Sequence, residues 1–275
     1  MKREQVAINS VSTQQSGLEE ALDAYAAAGF RNVEFVLPLV KEWVARDHSI
    51  DDVRRLLAAH DIRAVGGFET HLACFAPPEP RRANHDLLRA NARLIHDLGG
   101  GTMVVGTDGP SPPLPDPRMA VDTISNVCGA FMRDIEDLDV TVALEFNWSP
   151  VVKSLQSAVL VAQTVNHPRL GVLFDPAHYY TTPTKFEHLT AETVRWIKHV
   201  HLNDMRDKPG DLSNCNSDRV LPGEGVLDLP ALIARLEQHT YAGLFSIEMF
   251  NADLWRLPAV EAARLCYQSL LPLCH

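Results

Sequence analysis

Short apolar segments alternate with helical patterns along this chain, and the same junction recurs between them. A helix end, a tight turn and an apolar strand follow one another in AAAGFRNVEFV, IHDLGGGTMVVG, IEDLDVTVALEF and TVNHPRLGVLFD, and again in three further segments. Together with QVAINS near the start, these junctions predict eight strands. In the first predicted helix, Leu18, Leu22, Tyr25 and Ala26 recur at the spacing of one buried face.

Strands that alternate with helices indicate a sheet of parallel strands. Eight such units within 275 residues match the size of a TIM barrel, the (β/α)8 form of the α/β class. A doubly wound open sheet is the alternative, but no G-x-G-x-x-G motif follows the first strand. The prediction is one TIM-barrel domain over residues 1–275, with the proline-rich segment 109–117 as a loop after the fourth strand.

Four ionisable residues interrupt apolar strands at the same point, near the carboxyl end. They occur in ALEFN, LFDPAH, HVHLND and SIEMF, and they are Glu145, Asp175, His201 and Glu248. Side chains at this end of a barrel strand face the active site. Alternation along the strands places inward-facing residues such as His199 one layer deeper, and Asn147 one layer higher.

Three carboxylates and an imidazole that meet at one dry barrel mouth need a counter-charge. An isolated buried charge costs on the order of several kcal/mol, and neighbouring carboxylates raise one another's pKa. Each residue alone fits a salt bridge or an exposed loop equally well, but the shared depth on four strands favours one divalent cation. Its identity, Mn²⁺, Co²⁺, Mg²⁺ or Zn²⁺, stays open.

The composition favours an ordinary globular protein over a membrane, secreted or nucleic-acid-binding protein. Hydrophobic residues make up 46% of the chain and charged residues 22%, as in an ordinary globular protein. No apolar run is long enough for a membrane span, and MKREQVAINS lacks the apolar core of a signal peptide. Five scattered cysteines without a C-x-x-C pair predict free thiols, so we expect a cytoplasmic location. The net charge of −10 disfavours a nucleic-acid partner.

The strand-end residues and several longer segments resemble the xylose isomerase-like superfamily of TIM barrels, most closely its inosose isomerase-type members. The likeness extends over the whole chain, and residues 218–232 carry its most specific part. The matching segments are DHSIDDVRRLLAAHDI, ALEF, FDPAH, DRVLPGEGVLDLPALI, SIEMF and LWRLPAVEAA. The resemblance leaves the oligomeric state open but is compatible with a homo-oligomer, because related barrels are often dimers or tetramers.

The resemblance implies a metal site and a reaction. It assigns Glu145, Asp175, His201 and Glu248 as the metal ligands, and it makes His178 a substrate contact, unless that histidine only packs against the loop. The implied activity is isomerisation or epimerisation of a keto sugar or inosose through a metal-stabilised cis-enediolate. Glu145 and Glu248 would move the proton, with the roles of base and acid left open.

Five further residues are predicted to line the pocket, three of them with an alternative role. Arg219 either hydrogen-bonds a substrate oxygen or stabilises its own loop by pairing with Glu224. Trp255 either forms a wall of the pocket or packs against the last helix. Glu34 is inward by alternation in NVEFV, and His71 lies just past the third strand, where a lone loop histidine is often only solvated. Asn147 completes the candidate substrate contacts.

Three other functions fit the sequence to different degrees. A lyase or dehydratase acting on an inosose or a 3-keto sugar derivative would use the same metal site, and only a product assay separates it from an isomerase. An abasic-site nuclease is disfavoured because Val220 stands where its D-x-H motif needs a histidine. A catalytically idle sugar-binding protein is disfavoured by the intact ligand set. The exact substrate, and whether it carries a phosphate, are not readable from the sequence.

Overall fold

The computed structural model describes residues 1–111, 116–147 and 149–275, and in this part of the chain eight parallel strands close into a barrel. Their order around the barrel is β1, β10, β7, β6, β5, β4, β3, β2, which confirms the predicted TIM barrel. The short strands β8 and β9 form a separate antiparallel pair. The strands are β1 (Val6–Asn9), β2 (Asn32–Val36), β3 (Arg63–Phe68), β4 (Thr102–Val105), β5 (Thr141–Glu145), β6 (Leu170–Phe174), β7 (Ile197–Leu202), β8 (Asp204–Met205), β9 (Arg219–Val220) and β10 (Phe245–Ile247).

Helices connect the strands and cover the outside of the barrel. Their ends follow local chemistry: Ser49 and Asp52 cap each other's backbone N–H groups at one helix start, and Gly29 adopts a φ of +108° where another helix turns into a strand. No helix in the described ranges is both long and apolar enough to cross a membrane. The helices are α1 (Leu18–Ala28), α2 (Leu37–Val44), α3 (Ile50–Ala59), α4 (Pro78–Asp97), α5 (Pro117–Asp134), α6 (Leu155–Val165), α7 (Pro176–Thr181), α8 (Ala191–Val194), α9 (Leu229–Gln238) and α10 (Ala259–Leu270).

The proline-rich segment after β4 is only partly described. Residues 112–115 of the predicted loop 109–117 lie outside the described residues, and Pro117 already belongs to α5. Asp116 caps this helix by accepting a hydrogen bond from the Arg118 N–H at 2.9 Å.

Side-chain alternation divides each barrel strand between two environments. On β5, Val142 and Leu144 join the large core between barrel and helices, whereas Ala143 faces inward and packs with Val104 and Leu173. This small apolar cluster fills part of the barrel interior below the mouth. The same alternation brings Glu145, two residues after Ala143, to the inward face at the strand end.

Two β-bulges interrupt the regular register of the barrel. Between β6 and β7 the pairing passes from Val172–Ile197 to Leu173–His199, so Lys198 is an extra residue on β7. Gly171 leaves space here, because a Cβ at this position would collide with the Trp196 carbonyl and the Lys198 side chain. Bulges re-aim the side chains that follow them, and His199 comes directly after this one.

Candidate metal centre and active site

Four buried side chains meet at the carboxyl end of the barrel. Glu145 is the last residue of β5, Asp175 follows β6, His201 lies near the end of β7 and Glu248 follows β10. Because the strands are parallel, their carboxyl ends share one rim, and the strand order β10, β7, β6, β5 makes these four strands neighbours. One ligand atom from each residue lies within 4.8 Å of the others. The structure therefore brings together all four predicted ligands.

The atoms that face the centre of this cluster belong to a donor set suited to a divalent cation. His201 Nδ1 lies 3.0 Å from Glu248 Oε2, 3.5 Å from Asp175 Oδ2 and 3.8 Å from Glu145 Oε1. Two of these buried atoms, His201 Nδ1 and Asp175 Oδ2, make no hydrogen bond. Buried polar atoms rarely lack a hydrogen bond. These two atoms lie 3.5 Å apart, and Asp175 Oδ2 also forms an ion pair with Arg219 Nη2 at 3.1 Å. The residues present fit one cation with three carboxylate ligands and one imidazole ligand.

The backbone after β6 explains why one oxygen of Asp175 remains available. Oδ1 caps α7 by accepting the Ala177 N–H at 2.7 Å, and it also accepts a hydrogen bond from Asn203 Nδ2 at 3.0 Å. Pro176 begins the helix and fixes its first turn. The carboxylate is thus anchored through one oxygen while Oδ2 is directed to the cluster.

Arg219 supplies the fixed positive charge of the site. It is only 1% exposed, and its Nη2 lies 3.1 Å from Asp175 Oδ2 while Nη1 lies 2.7 Å from Glu248 Oε2. Burial by itself raises the pKa of Asp175, but the Arg219 charge and then His178 hold it well below its usual range. The expected loop-locking pair with Glu224 is not formed, because the guanidinium points into the barrel. That expectation was wrong.

His178 lies on the first turn of α7, beside Glu145. Its Nε2 is 3.2 Å from Glu145 Oε1, and its Nδ1 is 3.3 Å from Asn147 Nδ2. Burial by itself would lower the pKa of His178, but its neighbours raise it to about 10. Asp175 contributes most to this increase, followed by hydrogen bonds with Cys215 and Glu145. Asn147 adopts a φ of +71°, a left-handed conformation that asparagine tolerates.

The carboxylates of the site outnumber its one permanent positive charge. Around the cluster, four buried carboxylates face one guanidinium, that of Arg219, and no other arginine or lysine in the described residues is buried, which leaves three negative charges. These carboxylates belong to Glu34, Glu145, Asp175 and Glu248. A divalent cation reduces this to one, and a protonated His178 removes the last. In the metal-free protein, burial lowers the pKa of His201, but Glu248 and then Glu34 raise it well above its ordinary value. Metal binding at Nδ1 would displace that proton.

Glu34 lies below the four-residue cluster. It is 1% exposed, and its carboxylate contacts His199 Nε2 at 3.1 Å and His201 Nε2 at 3.2 Å. Glu34 lies on the inward face, as alternation predicts, but its carboxylate contacts His201, a predicted metal ligand, rather than the open mouth. His199 takes the supporting position that alternation predicts.

Two other predicted pocket residues lie in the loops of the mouth. Trp255 is half-buried, donates its Nε1–H to the Val11 carbonyl at 2.8 Å and packs edge-to-face on Phe250. This indole therefore ties the loop after β10 to the loop after β1. His71 is half-buried in the loop after β3, where its carbonyl accepts a hydrogen bond from Asn84.

The structure adds site residues that sequence reasoning did not select. Asn9, the last residue of β1, donates to Glu248 Oε1 at 3.3 Å. Its signal was present, since a polar residue ends the apolar strand VAIN. Asp204 accepts backbone N–H groups of Met205, Gly223, Gly225 and Leu227 at 2.8–3.1 Å, and so anchors the loop that follows Arg219.

The glycines of this loop serve two different purposes. Gly223 has a φ of +88°, as a tight turn requires. A Cβ on Gly225 would collide with Asp204 Oδ1 and the Met205 carbonyl, so this glycine permits close approach of the backbone.

Comparison with known proteins agrees with the fold. The family model described as xylose isomerase-like TIM barrel matches residues 22–269. The chain belongs to this family. The crystal structure of the IOLI protein with a zinc atom superposes on this barrel with a TM-score of 0.87 at 22% identity, covering 98% of this chain and 97% of that one. At this identity the superposition shows a shared fold.

Curated relatives of this xylose isomerase-like barrel include enzymes of two reaction classes. The inosose isomerase of Bacillus subtilis (strain 168) is 32% identical over 130 residues, which make up 46% of this chain and 46% of that enzyme. The 3-dehydroshikimate dehydratase of Pseudomonas aeruginosa is 26% identical over 268 residues, 93% of this chain and 40% of that enzyme. The chain thus matches about half the length, or less, of these two relatives.

Proposed function

We propose that this protein is a divalent-metal-dependent isomerase or epimerase of a keto sugar or inosose. The observation that carries the proposal is the convergence of Glu145, Asp175, His201 and Glu248 on one buried point, with two of their atoms left without hydrogen bonds. The alignment with an inosose isomerase supports the substrate class. We also propose that residues 1–275 act as one TIM-barrel domain on a small neutral or phosphorylated carbohydrate.

The proposed chemistry is proton transfer at a carbon next to a carbonyl, through an enediolate. A bound divalent cation supplies Lewis-acid polarisation of the carbonyl oxygen. Glu145 and Glu248 lie on opposite flanks of His201, at 3.8 and 3.0 Å from its Nδ1, so one carboxylate can remove a proton while the other returns it.

Glu145 and Glu248 differ in whether their hydrogen-bonding neighbours can exchange a proton. Glu248 is held by Arg219 and Asn9, which donate hydrogen bonds but do not take up protons at neutral pH. Glu145 contacts His178, a group that can give and accept a proton. His178 and Asn147 also border the mouth, where we assign them to substrate oxygens. Trp255 and His71 are assigned to the outer wall.

The test is a screen of keto-inositols and ketoses with Mn²⁺, Co²⁺, Zn²⁺ or Mg²⁺ added, run in deuterated water. The proposal predicts metal-dependent conversion with one solvent deuterium on the carbon next to the carbonyl, followed by NMR. Absence of both conversion and deuterium exchange for every substrate, with metal bound to the protein, would contradict it.

A dehydratase is the second candidate, because the relationship to the 3-dehydroshikimate dehydratase extends over 93% of this chain. The same enediolate can expel a hydroxyl group from the next carbon instead of being reprotonated. Mass spectrometry of the product separates the two reactions, since an isomerase product keeps the substrate mass and a dehydratase product has lost one water molecule.

A further inference from the structure

A buried carboxylate connects the candidate metal ligand His201 to a second histidine. Both oxygens of Glu34 lie 3.2 Å from His201 Nε2, and Oε2 also lies 3.1 Å from His199 Nε2. All three side chains are at most 2% exposed. Neither Glu34 nor His199 is among the buried groups in the described ranges that lack a hydrogen bond. The three residues thus form a closed hydrogen-bonded cluster beneath the metal ligands.

Two β-bulges lie beside members of this cluster, one on β3 and one on β7. Glu34 pairs with Gly66 across a bulge in which Val65 is the extra residue of β3, and His199 follows the bulge at Lys198 on β7. Each bulge stands next to one member of the cluster. The two strands lie far apart around the barrel, so the side chains meet through its interior.

The two ring nitrogens of His201 have opposite surroundings. Nδ1 faces three ligand carboxylates and has no hydrogen bond, whereas Nε2 faces the Glu34 carboxylate. A neutral imidazole ligand needs a lone pair on the nitrogen that binds the metal and carries its proton on the other. A carboxylate accepts a hydrogen bond from that proton, which orients the ring and increases the basicity of the ligand nitrogen.

We infer that Glu34 is a positioning residue that fixes His201 in the form with Nδ1 free for the metal and Nε2–H donated to the Glu34 carboxylate. His199 completes the arrangement by donating to Glu34 Oε2, which holds the carboxylate in place. The inference rests on the metal site of the proposed function. It adds a residue of β2, a strand that contributes no predicted ligand, to the residues that hold the site in place. Because Glu34, His199 and His201 satisfy one another, they do not form a second metal site.

The first experiment measures zinc binding without turnover, by competition with a chromophoric chelator. Glu34→Gln keeps the size of the side chain but removes its negative charge, so the amide oxygen is a weaker acceptor for the Nε2–H of His201 than the carboxylate. We expect its zinc affinity to be about 10- to 100-fold weaker than that of the wild type. Glu224→Gln, the same change at an exposed loop position, should leave zinc affinity unchanged.

The second experiment needs no variant. In the zinc-loaded wild-type protein, ¹⁵N NMR of the histidine rings should show Nδ1 of His201 bound to zinc and a proton on Nε2. Zinc on Nε2, a zinc stoichiometry of two per chain, or a folded Glu34→Gln protein with wild-type zinc affinity would overturn the inference while leaving the proposed function intact. Failure of the wild-type protein to bind zinc would instead overturn the proposed function and the inference together.

Discussion

A single guanidinium nitrogen of Arg219 binds both the side chain and the backbone of Glu248. Its Nη1 lies 2.7 Å from Oε2 and 3.1 Å from the carbonyl oxygen of that residue. Arg219 also stacks over the Phe250 ring at 5.2 Å and donates through Nε to the Cys215 carbonyl. Several contacts therefore fix the Arg219 guanidinium between Asp175 and Glu248, two of the predicted metal ligands, where it offsets part of their negative charge.

Removal of the Arg219 charge is expected to destabilise the metal-free protein. Arg219→Met leaves Asp175 and Glu248 buried without their counter-charge, and loss of one partner of a buried ion pair costs about 3–5 kcal/mol. Urea unfolding in the presence of a chelator measures this loss. Zinc should stabilise the variant more than it stabilises the wild type, because the metal no longer competes with a guanidinium.

The control for this prediction is Arg256→Met. Arg256 pairs with Asp253 at the surface, where both side chains are more than 70% exposed, so we expect a change in unfolding free energy within about 0.5 kcal/mol. Equal stability of the Arg219 and Arg256 variants without metal would show that Arg219 does not compensate the ligand carboxylates.

Glu145→Gln and Glu248→Gln are expected to abolish proton transfer while keeping an oxygen for the metal. General acid–base catalysis contributes about 10²- to 10⁴-fold to rates, and we expect kcat to fall by that order in each variant. The measurement is turnover and deuterium exchange with the substrate found in the screen, together with metal content. Glu224→Gln serves as the surface control. Near-normal turnover of either active-site variant with metal bound would rule out this pair of glutamates.

A methyl group at Gly225 is expected to disturb the loop that follows Arg219. The new Cβ would collide with Asp204 Oδ1 and the Met205 carbonyl, so Gly225→Ala should lower the free energy of unfolding by about 1–3 kcal/mol. Gly17→Ala is the matched control, because no atom lies within 4 Å of its Cβ position. Thermal unfolding of both variants tests the prediction, and equal melting temperatures would contradict it.

The strand ends could be predicted from the sequence because alternation and chain order determine them. Eight apolar strands, each preceded by a helix or an end of the chain, led to the barrel, and Glu145, Asp175, His201 and Glu248 stood out as polar residues at one depth. Asn9 followed the same rule on β1 but was not selected, since an asparagine at a strand end is common without any function.

The side chains that hydrogen-bond or ion-pair with the site residues could not be predicted from the sequence, because these contacts join segments that are distant in the chain. Glu34 and His199 are 165 residues apart, and the bulges beside them have no sequence signal that distinguishes an extra residue from a regular one. One alternative for Arg219 was a near neighbour in sequence, Glu224, whereas its partners are Asp175 and Glu248, which follow β6 and β10. Two-residue strands such as β8 and β9 are too short to leave a pattern.

The most direct test of the metal centre is a crystal structure grown with Mn²⁺, with an anomalous difference map collected from it. We expect one anomalous peak at the carboxyl end of the barrel, within bonding distance of Glu145, Asp175, His201 Nδ1 and Glu248. A map without a peak there, with the four side chains hydrogen-bonded to water instead, would contradict it.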